Sequence, residues 1–69
     1  MRKWLKDIRE KKNFSQQNVA KNVGITRQYY NQIENGERQK DLDLSMAIKL
    51  AKIFDVSIDW IVAQEEKLK

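Results

Sequence analysis

Four polar side chains that could read DNA lie close together in the segment "VGITRQYYNQIENG", residues 23–36. Arg27 and Gln28 are followed, one helical turn later, by Asn31 and Gln32. Arginine can donate two hydrogen bonds to guanine O6 and N7, and an amide side chain can both donate to and accept from adenine. A surface that serves only solubility more often carries lysine and glutamate. These residue types therefore indicate a helix face that reads base pairs in the major groove.

The pattern around these side chains predicts the helix that carries them. Gly24 can adopt a positive φ without steric cost, so we expect a sharp turn there. Thr26 can cap the following helix and approach a phosphate together with the unpaired amides of its first turn. Tyr30 and Ile33 share one face at i and i+3, so we expect both in the core. Tyr29 points outward, and it either touches a thymine methyl or sugar-phosphate or covers the neck of the helix.

The remaining apolar spacing predicts an all-α chain with four further helices. We expect the first from Arg2 to Lys12 and three more after the caps Ser15, Asp43 and Ser57. Their buried stripes are expected to be Trp4, Leu5 and Ile8 in the first, Val19, Ala20 and Val23 in the second, Leu44, Ala47, Leu50, Ala51 and Phe54 in the fourth, and Ile58, Ile61 and Val62 in the fifth. One domain is expected over residues 1–63, and residues 64–69 are expected to be a charged, frayed tail.

Composition excludes several functional classes. The chain of 69 residues has no cysteine and no histidine, so disulfides and the usual zinc sites cannot form, and no cofactor is expected. Asp41 and Asp43 could be a paired acid, but their setting in a loop and a cap favours two solvated carboxylates, and we expect no enzyme. The net charge of +4 suits a polyanionic partner. No stretch resembles a membrane span or a signal peptide, so we expect a cytoplasmic protein.

Three segments in register resemble the Cro/cI-type (XRE) phage-repressor family. "QQNVAKNVGITRQYYNQIENG", residues 16–36, looks like its helix-turn-helix. "IREKKNFSQ", residues 8–16, and "AIKLAKIFDVSIDWIV", residues 47–62, are similar to its first helix and its last two. The resemblance covers nearly the whole chain and implies a compact five-helix, lambda-repressor-like fold. It also implies a sequence-specific transcriptional regulator, a repressor of phage, mobile-element or bacterial origin.

The resemblance assigns roles to individual residues. Gln16 matches a glutamine that contacts a DNA phosphate and braces the recognition helix. Arg27, Gln28 and Gln32 match base-reading positions, and Asn35 matches a phosphate-contacting asparagine. Arg9 and Glu34 match a pair that forms an internal salt bridge in some members, and two separate solvated charges are the alternative. Arg38 and Lys40 are predicted as phosphate contacts by position alone. Asn13 and Asp55 stand where glycine is usual, and Asn18 stands where glutamate would complete a capping box, so weaker helix ends are expected.

The small size of the DNA-reading surface indicates that the protein acts with a second copy of itself. One recognition helix reads only a few base pairs, so we expect a homodimer on a near-palindromic DNA site. Trp60, Ile61 and Val62 cannot all face the core of one short helix, so they are the predicted dimer surface, although Trp60 could instead close the core. The alternative function is an antitoxin or adaptor that uses the same fold to bind another protein.

Overall fold

The computed structural model describes residues 1–68 of the chain. These residues form five α-helices joined by loops, and they contain no strand. The helices are α1 (Lys3–Lys11), α2 (Gln16–Val23), α3 (Arg27–Asn35), α4 (Leu44–Phe54) and α5 (Ile58–Glu66). This confirms the predicted all-α, five-helix fold. Within the described part of the chain, no helix is both long enough and apolar enough to cross a membrane.

Side-chain caps set where four of these helices begin. The side chains of Ser15, Thr26, Asp43 and Ser57 each accept a hydrogen bond from the backbone N–H three residues later, at 2.8–3.1 Å. Each bond satisfies a backbone donor that has no partner within its helix. The four predicted caps are therefore confirmed. At Asp43, the bond from the backbone N–H of Met46 lowers the pKa of the carboxyl, and the bond from the Ser45 hydroxyl lowers it further.

Residues with a left-handed backbone conformation follow the ends of several helices. Gly24 and Gly36 have φ of 87° and 80° and end α2 and α3, as the predicted turn at Gly24 requires. Asn13 and Asp55 adopt φ of 62° and 55° without being glycine, which is strained but tolerated best by asparagine and aspartate.

The start of α2 corrects one expectation. Asn18 was expected to leave the capping box incomplete, but its Oδ1 accepts the backbone N–H of Ser15 at 3.3 Å. Its own N–H donates to the Ser15 hydroxyl, so both halves of the box form. The shorter amide side chain therefore replaces the usual glutamate, and this helix start is not weakened by the lack of a reciprocal bond.

A single hydrophobic core lies where all five helices meet. Its fully buried side chains come from every helix and include Leu5, Val19, Ala20, Tyr30, Ile33, Leu50, Phe54 and Ile61. Helix α2 packs against both α3 and α4, so the core fixes the angle at which α3 is presented. Leu44 was expected in this core but is 67 % exposed, because it is the first residue of α4 and lies outside the buried face.

The end of α5 differs from the predicted boundary. The frayed tail was expected from Gln64, but α5 continues to Glu66. Glu65 is held there, since its carboxylate accepts hydrogen bonds from the Trp4 indole at 2.8 Å and from Arg2. Residues 64–66 are therefore helical in the structure, fraying of the tail stays a prediction, and the part of it that concerns Lys69 lies outside the described residues.

Candidate nucleic-acid interface

The exposed side of α3 begins with the two side chains predicted to read bases. Arg27 and Gln28 are exposed and occupy the first two positions of the helix. Thr26 precedes them as an exposed cap, next to backbone amides that have no partner within the helix. A cation, an amide and a helix N-terminus therefore lie together at the end of α3 that follows the α2–α3 turn.

Asn31 and Gln32 lie one turn further along and are half-buried. The Asn31 Oδ1 accepts a hydrogen bond from Gln16 Nε2 at 3.0 Å. The Gln32 Oε1 accepts one from Arg38 Nε at 3.2 Å. Each amide oxygen thus already has one partner, while each amide also carries an NH₂ group that can donate to a base edge. We call Arg27, Gln28, Asn31 and Gln32 the reading face; their contacts with DNA remain predictions.

Gln16 links α2 to α3 from the first position of α2. Its Nε2 donates to Asn31 Oδ1 and, at 3.3 Å, to Glu34 Oε1. The side chain therefore spans the two helices and restrains the orientation of Asn31. This is the bracing that the family resemblance implies, whereas the phosphate contact of Gln16 remains a prediction.

Arg9 and Glu34 form a largely buried ion pair beneath the reading face. Arg9 Nε lies 2.7 Å from Glu34 Oε2, and only 3 % of the Glu34 side chain is exposed. Arg9 Nη1 also donates to the Phe14 carbonyl at 2.9 Å. Of the two alternatives for this pair, the salt bridge is the one that forms. The Glu34 carboxylate accepts hydrogen bonds from both Arg9 on α1 and Gln16 on α2, so three helices meet at this one group on α3.

Tyr30 lies in the core beside this pair, as predicted from its spacing. The side chain is fully buried, and its hydroxyl lies near Glu34 and Arg9 without a hydrogen bond of ordinary geometry to either. Burial raises the pKa of Tyr30, and the neighbouring Glu34 carboxylate raises it further. The phenol therefore stays neutral in the core.

Replacing Tyr30 with phenylalanine is expected to change the free energy of unfolding by less than about 1 kcal/mol, because the hydroxyl makes no hydrogen bond of ordinary geometry that the substitution would remove. Urea denaturation of both proteins measures the difference. Tyr29→Phe is the matched control, since the Tyr29 hydroxyl accepts a bond from Gln39. A decrease of more than about 1 kcal/mol in Tyr30→Phe alone would show that the hydroxyl is bonded.

The loop between α3 and α4, residues 36–43, packs against Tyr29. The Arg38 guanidinium lies 5.9 Å from the centre of the Tyr29 ring, and Gln39 Nε2 donates to its hydroxyl at 3.3 Å. Gln39 Oε1 in turn accepts from the backbone N–H of Asp43 at 3.0 Å. Tyr29 is thus half-buried under the loop, and whether it also touches DNA remains a prediction. Sequence reasoning missed Gln39, which has φ of 55° without being glycine.

The predicted phosphate contacts at this end of α3 are exposed. Asn35 is the last residue of α3, directly before the cap Gly36. Arg38 and Lys40 project from the loop. Thr26 directly precedes Arg27, and Gln16 contacts Asn31, so the other two predicted phosphate contacts also adjoin the reading face.

The predicted dimer surface on α5 is divided by the fold. Trp60 is half-buried and packs edge-on against Trp4, with ring centres 5.8 Å apart. Val62 is 49 % exposed, whereas Ile61 is only 1 % exposed. Ile61 was therefore wrongly placed in the interface, because its position on α5 points into the core. Val62 and the exposed edge of Trp60 remain available.

A buried arginine completes the region and was not singled out from the sequence. Arg2 is 2 % exposed and contacts both the α3–α4 loop and α5. In the sequence it is one of several basic residues near the start of the chain, and no local pattern separates it from the exposed Lys3.

Comparison with known proteins agrees with this geometry. A family model described as "Helix-turn-helix" matches residues 5–61. The chain therefore belongs to the XRE-type helix-turn-helix family, a non-enzymatic family of DNA-binding transcriptional regulators. No solved structure gives a significant match to the chain.

Several curated proteins are similar over most of the chain. The uncharacterized HTH-type transcriptional regulator YqaF of Bacillus subtilis is 47 % identical over 58 residues, which are 84 % of this chain and 76 % of the relative. MJ0272 of Methanocaldococcus jannaschii, another uncharacterized HTH-type transcriptional regulator, is 38 % identical over 96 % of this chain and 97 % of its own length. The SPbeta prophage-derived regulator YonR of Bacillus subtilis is 41 % identical, and the match spans only 52 % of that relative.

Proposed function

We propose that this protein is a sequence-specific transcriptional repressor that binds double-stranded DNA as a homodimer. The observation that carries the proposal is the reading face: Arg27 and Gln28 are exposed at the start of α3, and Asn31 and Gln32 follow on the next turn. An α-helix fits the major groove of B-DNA, and these side-chain types distinguish base pairs there. The core and the Gln16 brace hold α3 in a fixed orientation before DNA arrives, so little ordering is needed on binding.

Contacts around α3 would set its register in the groove. Thr26 directly precedes the helix, Gln16 contacts Asn31 on its second turn, and Asn35, Arg38 and Lys40 lie at and after its C-terminal end. Such phosphate contacts supply affinity that depends on salt concentration but carry no sequence information of their own. Base preference would therefore come from the reading face, with Tyr29 at its border.

A second copy would provide the remaining specificity. The exposed Val62 and Ile58, which is 37 % exposed, lie one turn apart on α5 and form an apolar strip that suits an isologous contact. Trp60 lies on another side of α5, against Trp4, and would contribute only an edge. A dimer would place two copies of α3 about one helical turn of DNA apart, which predicts an operator of two inverted half-sites. The prophage-derived relative YonR supports an origin in a phage or mobile element.

Selection of bound sequences from a random DNA pool tests this function. The expected result is one enriched, near-palindromic sequence that the protein binds at least about a thousandfold more tightly than random DNA, with affinity falling steeply as salt rises. Tight binding without enrichment would show a nonspecific DNA-binding protein instead. No DNA retention at low salt would contradict the proposal and favour the antitoxin or adaptor alternative.

A further inference from the structure

The buried side chain of Arg2 joins three parts of the fold that are distant in the sequence. Its Nε lies 3.0 Å from Glu65 Oε1 on α5. Its Nη1 donates to the Ile33 carbonyl near the end of α3 at 2.7 Å. The backbone N–H of Arg2 donates to the Glu34 carbonyl at 2.6 Å. Main-chain and side-chain donors of one residue thus fasten the start of α1 to the C-terminal end of α3.

The loop that follows α3 is held by the same guanidinium. Three consecutive loop carbonyls accept from it: those of Arg38 at 3.2 Å, of Gln39, and of Lys40 at 3.4 Å. Only a planar group with several N–H donors can satisfy carbonyls that converge in this way. Gln39, the middle residue of the three, has a left-handed backbone with φ of 55°, and its carbonyl and those on either side of it all contact the one guanidinium.

The charge of Arg2 is compensated in its buried position. The last carbonyls of a helix have no partner within it and carry partial negative charge, which favours a cation there. The Glu65 carboxylate supplies the full counter-charge and is itself fixed by the Trp4 indole. Removing either partner would leave the other charge desolvated, so both side chains are held in one arrangement.

We propose that Arg2, anchored by Glu65, is a positioning residue that sets the α3–α4 loop in its DNA-contacting conformation. The inference rests on the proposed function, in which Arg38 and Lys40 of this loop contact the DNA backbone. Arg2 itself is buried and touches no phosphate. Lysine cannot substitute, because a single ammonium group cannot reach the Glu65 carboxylate and the loop carbonyls together.

Amide hydrogen exchange of the protein without DNA tests the positioning directly. Three amides report on the loop: Glu37 and Arg38 donate to the Gln32 carbonyl, and Asp43 donates to the Gln39 side chain. Arg2→Lys is expected to reduce protection of these amides at least about tenfold while core amides in α2 and α4 keep theirs. Lys3→Gln is the matched control, because Lys3 is adjacent in sequence but exposed.

A second variant keeps the test decisive if Arg2→Lys is poorly folded. Glu65→Gln leaves Arg2 in place but removes its counter-charge, and it is expected to reduce protection at the same three loop amides. Unchanged loop protection in both variants would contradict the positioning role. An equal decrease of protection throughout the molecule would also contradict it, since Arg2 would then serve only global stability.

DNA binding distinguishes failure of this inference from failure of the proposed function. For the selected DNA, Arg2→Lys should reduce the slope of log affinity against log salt by about 0.9 for each phosphate that the loop no longer touches, with base preference unchanged. A mobile loop with an unchanged slope would overturn the link to DNA binding. If the unmodified protein binds no DNA, the proposed function fails. The inference that Arg2 sets the loop for DNA contact then fails with it. The exchange experiment would still report whether Arg2 orders the loop.

Discussion

Replacing Glu34 with alanine is expected to lower the free energy of unfolding by about 3 kcal/mol, because it breaks a buried ion pair from one side. Arg9 loses the carboxylate that lies 2.7 Å from its Nε, and 11 % exposure of the Arg9 side chain gives water only limited access to the stranded charge. Gln16 loses one of its two acceptors at the same time. Urea denaturation followed by circular dichroism measures the change.

Two comparisons separate the ion pair from the simple removal of a carboxylate. Glu37→Ala removes the same group from an exposed loop position and should change stability by less than about 0.5 kcal/mol. The double variant Arg9→Met with Glu34→Leu should be more stable than Glu34→Ala, because no buried charge remains unpaired. If Glu34→Ala costs no more than Glu37→Ala, the pair does not hold the three helices together.

Removing Arg27 and Gln28 together is expected to lower affinity for the selected operator at least about a hundredfold. Each well-formed bidentate contact to a base is worth about 1–3 kcal/mol, and both side chains occur once in each protomer. Affinity for random DNA should fall much less, since only one charge per protomer is removed and most nonspecific affinity comes from phosphates. Competition binding with selected and random DNA measures both quantities.

The control removes a charge from a different face. Lys52 is exposed on α4, so Lys52→Ala lowers the net charge equally without altering the reading face. It should retain the sequence preference of the unmodified protein. An equal decrease of affinity for selected and random DNA in Arg27→Ala with Gln28→Ala would remove these two residues from base recognition and require another surface for it.

Features determined by local chemistry were predictable from the sequence. Caps at Ser15 and Thr26 and the left-handed turn at Gly24 depend on residues only a few positions apart. The inward direction of Tyr30 followed from its spacing with Ile33 on one helix face. Helical periodicity therefore located α3 and separated its buried residues from its outer ones.

Contacts between distant segments were not predictable. Arg2 and Glu65 are 63 positions apart, and nothing near either residue shows that they form a pair. The choice between Ile61 and Val62 as the buried residue depends on how α5 is rotated against α4, which periodicity over one short helix does not determine. Leu44 has the spacing of a core residue, but it lies at an end of α4 where the core no longer extends.

Both ends of the described chain reach one shallow cavity beside the α3–α4 loop. Met1 and Leu68 line it together with Arg2, Gly36 and Lys40. The Met1 backbone is so close to Gly36 that an added Cβ there would lie 3.6 Å from the Met1 nitrogen. An affinity tag fused before Met1 would therefore emerge next to the proposed phosphate contact Lys40, and a tag at the other end would follow a chain that passes the same cavity at Leu68. Binding measurements consequently call for protein from which every tag has been cleaved.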